Sequence, residues 1–368
     1  MVNDRNNNFP DTLISRRKSE HLQIAADHDV TYSQSTMLEN VKLMHQALPE
    51  LRVDEIDLSV EFFGKRLKAP LMITSMTGGA EYAGRMNHAL ASAAQRQGIA
   101  FAVGSQRVML SHPEITSDFQ VRKEIPDGVL LGNIGAVQLQ EYSLDAIADL
   151  AKSIEADGMC VHLNAAQELV QREGHRDFRG LTDKIGRLVD HLDGQVLVKE
   201  TGAGLSPQAL KKLASIGVRY IDVSGSGGTS WTKVEMHRAS NQKLRQLAET
   251  FADWGVPTAF SIIAAKHIFG DKACLAASGG ILSGLDVARA IVAGSDIAGF
   301  ARQVLLSYLD KETDGVIALI DRFKKELTTA MLLTGCRNIS ALKKAPRIYT
   351  GELREWLLTY GWFEGEKN

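Results

Sequence analysis

The sequence predicts an α/β fold: a TIM (β/α)8 barrel with an N-terminal arm and hairpin and an insertion between strands six and seven. Three observations carry this. Helix–glycine–strand units recur in SLDAIADLAKSIEADGMCVHLN, SPQALKKLASIGVRYIDVSG and SGLDVARAIVAGSDIAGFA, and such units in series imply a parallel sheet covered by helices. Eight apolar segments have strand character: PLMITS (70–75), IAFAVG (99–104), GVLLGNIG (128–135), GMCVHLN (158–164), QVLVKE (195–200), RYIDVS (219–224), ACLAAS (273–278) and DIAGFA (296–301). They end in polar or glycine-rich stretches, as expected where barrel strands open onto one C-terminal face. A doubly wound open sheet is the competitor, and the chemically loaded ends favour the barrel.

Residues 1–12 read as disordered, and 13–50 as polar and basic, then partly helical, with RRKSEH (16–21) as their chemical content. Residues 51–67 alternate around a Gly turn and read as an antiparallel hairpin. The chain thus divides into an arm and hairpin (1–67), a barrel (68–345) and a helical tail (346–368). Ser206 is placed to cap a helix whose first position is Pro207. Roughly fifty residues separate strands six and seven, long for such a connection, so an inserted loop or lid plus an extra helix is expected there.

The 368 residues are 44% hydrophobic and 23% charged, the balance of a soluble globular enzyme. A net charge of −2 gives no basis for a nucleic-acid surface. Cys160, Cys274 and Cys336 are odd in number and widely spaced, with two inside apolar runs. They read as buried thiols of a reducing compartment, not as a disulfide framework or a zinc site. No apolar run is long enough for a membrane span, and the polar N-terminus lacks the core of a signal peptide. The cytoplasm is the expected location.

If the eight strands close, their ends share one mouth. Strand one brings Ser75, Met76, Thr77 and Gly78; strand two Ser105 and Arg107; strand three Asn133; strand four His162, Asn164, Gln167 and Glu168. Strand five brings Lys199 and Thr201, strand six Ser224 and Thr229, strand seven Gly279 and Gly280, and strand eight Ala301. A Gly-Gly turn entering helix 284–293, with a second Gly turn after strand eight, suits a phosphate held on backbone N–H groups and a helix N-terminus. The glycines of SGSGGTS and ETGAGLS could serve turn geometry alone. Lys199 closes an apolar strand, where it either snorkels or faces an anion. With Thr77, Ser105 and Asn133 near, the set suits a flavin, whose N1–C2=O edge becomes anionic on reduction. The basic run 16–21 is either a solvated patch or an arm that clamps a diphosphate together with Arg107.

These stretches together resemble the type 2 isopentenyl-diphosphate isomerases. The matching motifs are RRKSEH (16–21), APLMITSMTGG (69–79), GSQR (104–107), GNIGA (132–136), HLNAAQE (162–168), VKETGAG (198–204), DVSGSGGTSW (222–231), WGVPTA (254–259) and ASGGILSGLDVARAI (277–291). They run in the family's order over nearly the whole chain past residue 13. The resemblance implies a homo-oligomer (tetramer or octamer) that binds FMN and Mg²⁺, takes reducing equivalents from NADPH, and interconverts isopentenyl and dimethylallyl diphosphate. It implies FMN contacts from Met76, Thr77, Gly78, Ser105, Asn133, Lys199, Ser224 and Thr229, with Gly279, Gly280 and Ala301 at its phosphate. It implies Arg17, Lys18, Arg107, His162, Asn164 and Thr201 at the substrate diphosphate, Glu168 at Mg²⁺ and Gln167 at the reacting carbons. Three positions depart from the family pattern: Leu282 replaces a frequent Arg, His175 a frequent Asp, and Thr201 a frequent Ser.

Two other readings compete. An FMN-dependent 2-hydroxy-acid oxidase would place a His base and Arg residues after strand six, where this chain has SGSGGTSW. A catalytically silent flavin-binding protein would keep Lys199 and the glycine turns but lose Gln167 and Glu168, and both are present.

Overall fold

Eight parallel strands close on themselves in the computed structural model, which describes residues 13–76 and 81–362. They are β1 (Leu71–Ile73), β2 (Ala100–Ala102), β3 (Leu130–Gly135), β4 (Gly158–Leu163), β5 (Val196–Glu200), β6 (Tyr220–Asp222), β7 (Cys274–Ala277) and β8 (Ile297–Phe300). Each lies inside its expected segment. Pairing of β8 with β1, Ala298 opposite Leu71, excludes the open sheet. The expected disorder of 1–12 and the cofactor roles of Thr77 and Gly78 fall outside the described residues.

Alternation along the strands sorts the side chains into two cores. Met72, Ala100, Ala102, Leu131, Cys160, Leu197, Ala276 and Ile297 fill the barrel, while Ile73, Phe101, Ile134, Val161 and Val198 meet the outer helices. The same period carries Asn133, His162, Lys199 and Asp222 onto the inner line near the mouth. His162 pairs with Lys199, and Lys199 with Asp222, across neighbouring strands.

The opposite end is plugged by the hairpin of strands Val60–Phe62 and Lys65–Leu67. Phe63 stacks on Tyr220 with ring centroids 3.9 Å apart, and Phe62 meets both edge-on. Burying each Phe contributes roughly 1.5–3 kcal/mol. Gly158 makes room: a Cβ there would lie 2.3 Å from the Phe63 ring.

Ser143 and Ser206 cap their helices by accepting from Ala146 and Ala209 N–H, and Pro207 begins the second. The insertion contains helices Trp231–Arg238 and Gln242–Thr250, followed by the barrel helix Thr258–Phe269. The tail opens with a strand, Arg347–Tyr349, antiparallel to Val41–Leu43, before its helix Gly351–Thr359. Cys160 and Cys336 are buried, Cys274 is half-buried, and none is bridged.

The arm helix Leu13–Asp27 packs against Trp231–Arg238. The chain after it is tied to the mouth by Tyr32 N–H to Gly228 O (2.9 Å), Ser230 N–H to Val30 O (2.8 Å) and Ala259 N–H to Thr36 O (3.0 Å). Arg302 donates to the carbonyls of Ala25 and His28. The basic run is therefore an arm over the mouth and not a solvated patch.

Candidate active site

The arm delivers cations to the strand ends. Lys18 Nζ donates to Ser105 O at 2.8 Å. Arg17 lies 3.9 Å from Glu173, and its Nε is buried without a partner. Desolvation, then the charges of Arg17 and Arg107, brings the Lys18 ammonium down to about 7. Desolvation, then Lys199, Lys18 and Arg17, pushes His162 down to about 3. His162 is therefore neutral, and its Nδ1 lies 3.0 Å from Asn133 Oδ1. Burial and neighbouring cations thus hold both Lys18 and His162 below their usual range, an arrangement that favours an anion beside them.

Opposite them lies an acidic and amide cluster. The short helix Ala165–Val170 begins immediately after β4, so Gln167 and Glu168 follow the strand end by less than a turn and a half. Asn164 Nδ2 donates to Gln167 Oε1 (3.3 Å) and Glu168 Oε1 (3.0 Å), which commits its amide protons to this pair. Gln167 Nε2 donates to Glu235 Oε1 at 3.1 Å. Glu235 is 2% exposed. Burial opposes its ionisation, but His21, Gln167 and Arg238 outweigh that, and its carboxyl lies below the usual range. Arg238 also binds Glu20 and Glu173 at 2.9 and 2.6 Å, locking arm, insertion and post-β4 loop together.

Deeper in the mouth, Lys199 is 6% exposed and donates to Glu200 O at 2.6 Å. Asp222 is fully buried and accepts from Ser224 N, Ser278 N and Ser278 Oγ. This holds Ser224 at φ 36°, a left-handed conformation costly for a residue with a Cβ. Thr201 Oγ1 reaches Leu163 O at 3.4 Å.

The glycine turns divide. Around ETGAG, one oxygen of Glu200 accepts from the N–H groups of Thr201, Gly202, Ala203 and Gly204 at 2.5–3.2 Å. That nest is already filled by a carboxyl group, whose pKa burial raises to about 7 against those bonds. Gly279 and Gly280 differ: φ values of 93° and 72° demand glycine, a Cβ on Gly279 would lie 2.1 Å from Gly225 O, and one on Gly228 would lie 2.3 Å from Gly280 N. Their N–H groups have no acceptor among the described residues. The expected contribution of helix 284–293 needs correction. Its Gly284 and Asp286 N–H groups are taken by Glu326 and Ser283, because Ser and carboxylate side chains compete for a helix N-terminus. The better-exposed terminus is that of Arg302–Leu333, where Ala301 supplies no side-chain cap. Leu282, at the frequent Arg position, is 55% exposed.

A family model described as FMN-dependent dehydrogenase matches residues 11–120 and 137–348. Curated proteins named isopentenyl-diphosphate delta-isomerase align over most of the chain. The Nostoc sp. protein is 44% identical over 89% of this chain and 93% of its own. That of Methanothermobacter thermautotrophicus is 41% identical over 96% and 99%. The chain belongs to the type 2 isopentenyl-diphosphate delta-isomerases, within the FMN-dependent dehydrogenase family. Among solved structures, mandelate oxidase with (S)-2-phenylpropionate superposes with TM-score 0.64 at 16% identity, over 91% of this chain and 96% of that one. That likeness concerns the barrel alone.

Within the isomerase family frame, sequence reasoning missed Glu235 and Arg238, and it named His21 only within the basic run 16–21. Each lies on an element whose sequence looks like an ordinary polar helix or turn. The one signal was position: Glu235 and Arg238 sit in the insertion between strands six and seven, where a lid was expected. No helix among the described residues is long and apolar enough to cross a membrane.

Proposed function

We propose that the protein interconverts isopentenyl diphosphate and dimethylallyl diphosphate by a 1,3-proton shift, with FMN in the barrel mouth and Mg²⁺ on the substrate diphosphate. The observation that carries this is the pair of adjoining clusters: Arg17, Lys18 and Arg107 on one side, Gln167 and Glu168 on the other, with neutral His162 on the strand that leads to Gln167. A diphosphate offers the charge that the cations lack. A hydrocarbon tail needs only an amide and a base beside it.

The residues present fit both added groups. For FMN, the N–H groups of the Gly279–Gly280 turn and the buried Ser75 Oγ after β1 have no partner among the described residues. Lys199 Nζ on β5, with Asn133 on β3 and Ser105 after β2, would hold the ring edge. When bound, reduced FMN supplies an acid/base at its N5. For Mg²⁺, no group of three His, Cys, Asp or Glu converges among the described residues. One carboxylate, Glu168, would anchor a hard cation whose other ligands are diphosphate oxygens and water.

The chain's own contribution is then positioning and proton control. Arg17, Lys18 and Arg107 grip the diphosphate, and its charge raises the proton affinity of Lys18 and His162. Asn164 orients Gln167 and Glu168 together. Gln167 packs at the reacting carbons, and Glu235 Oε1, ionised and buried, is the base nearest its amide. The arm excludes water from the mouth. NADPH as reductant, a tetramer or octamer, and the cytoplasm complete the proposal.

The test is incubation with isopentenyl diphosphate, Mg²⁺ and chemically reduced FMN in D₂O. Dimethylallyl diphosphate with solvent deuterium supports the reading. Absence of product, with flavin bleaching by L-lactate or glycolate, overturns it in favour of a hydroxy-acid oxidase.

A further inference from the structure

The loop from Glu173 to Arg176 carries an imidazole to Glu168. Gly174 presses so closely on the short helix Ala165–Val170 that a Cβ there would lie 2.0 Å from Glu168 O. The Arg176 guanidinium gathers the carbonyls of Glu168, Gln171 and Gly174, which closes the loop on that helix. His175 is then held on two sides. Its backbone N–H donates to Glu168 Oε2 at 2.7 Å, and its Nε2 lies 2.6 Å from Glu141 Oε1. A carboxylate only accepts, so Nε2 is the donor to Glu141. Nδ1 faces the other carboxylate, 3.8 Å from Glu168 Oε2.

We infer that His175 Nδ1 is a second protein ligand of the divalent metal beside Glu168, making an imidazole–carboxylate site that takes Mn²⁺ or Co²⁺ as well as the Mg²⁺ of the proposed function. The inference rests on the assignment of the metal to Glu168 and says how the protein completes that site. Three features support it. Two neighbouring donors on one octahedral cation with bonds of about 2.1 Å stand about 3.0 Å apart, so Nδ1 and Oε2 at 3.8 Å need close by less than about 1 Å around an ion. Metal-binding histidines donate their other ring N–H to a carboxylate, which is what Glu141 receives. Ligating carboxylates are themselves hydrogen-bonded, and Asn164 Nδ2 does this for Glu168 Oε1 at 3.0 Å. Mg²⁺ takes oxygen ligands and gives up water reluctantly, whereas imidazole suits first-row transition ions.

The experiment uses the full-length, FMN-loaded protein with inorganic pyrophosphate, titrated with Mn²⁺ and followed by electron paramagnetic resonance. Pulsed measurements read ¹⁴N coupling to the bound ion. Wild type is expected to show coupling from a directly bound imidazole. His175→Asp should lose it and bind Mn²⁺ about 10-fold or more weakly, while Mg²⁺ affinity, measured by competition, changes less than about 3-fold. Glu141→Gln should keep the coupling with roughly 10-fold weaker Mn²⁺ binding. Wild-type Mn²⁺ bound without ¹⁴N coupling overturns the inference, as does coupling that persists in His175→Asp. If Glu168→Gln binds Mn²⁺ as wild type does, the assignment of the metal to Glu168 fails instead. Should His175→Asp not fold, the wild-type spectrum decides alone.

Discussion

Gln167 Nε2 donates to Glu235 Oε1 across 3.1 Å, joining the end of β4 to the helix inserted after β6. His21 Nε2 lies 2.8 Å from the same oxygen, so arm, barrel and insertion converge on one buried carboxylate. The side chain that faces the reacting carbons in the proposed function is therefore aimed by a residue 68 positions away.

Glu235→Gln keeps the shape but removes the charge. It should lower kcat by roughly 10²-fold, the low end for a positioned acid/base group, with FMN bound as in wild type. Steady-state rates beside the flavin absorbance of the purified variant check this. A rate within twofold of wild type would show that Glu235 is only structural.

In the proposed function, Lys18 sets the pH dependence of substrate capture. Its folded pKa is lowered to about 7, so the free enzyme loses that charge as pH rises through neutrality. Since kcat/KM reports groups of the free enzyme, it should fall above pH 7 through a rise in KM. Lys18→Arg carries a charge that does not titrate in this range. It should move the falling limb well into alkaline pH. An identical profile in the two proteins would exclude Lys18 from diphosphate binding.

Gly279→Ala places a Cβ 2.1 Å from Gly225 O at φ 93°. Left-handed strain alone costs about 1–3 kcal/mol, and the clash adds to it. The variant should melt at lower temperature and purify largely without flavin colour. Full yellow occupancy would place the phosphate elsewhere.

Lys199→Met removes the buried cation proposed to lie at the flavin. Because that charge favours the anionic reduced ring, the bound flavin should become harder to reduce, by tens of millivolts, on the order of 1 kcal/mol or more. A spectroelectrochemical titration measures the shift. An unchanged potential would separate Lys199 from the flavin edge.

Much of the architecture is already present in local patterns. The eight strands coincide with apolar segments bounded by glycine, and Ser143 and Ser206 cap their helices because Ser before a periodic apolar run has one favourable use. Strand alternation also predicts that Lys199 and His162 share a barrel surface, since both follow an inward residue by two. The glycine turn proposed for the phosphate is half legible. Gly279 and Gly280 stand out in the sequence, but the capture of Gly284 and Asp286 N–H groups by Glu326 and Ser283 involves a partner more than forty residues away.

The sequence by itself determined the barrel, its order of strands and the set of groups at its mouth, because periodicity, capping and turn chemistry act over a few residues. Only the tertiary structure decided which of those groups meet. His21 finds Glu235 across 214 residues, and His175 finds Glu141 across 34. Such pairs leave no periodic trace, since each residue is locally just one more polar side chain. Their identity depends on where closure of β8 onto β1 and the fold of the arm across the mouth bring distant backbones together. Burial of Glu235 then makes its pairing with His21 costly to break.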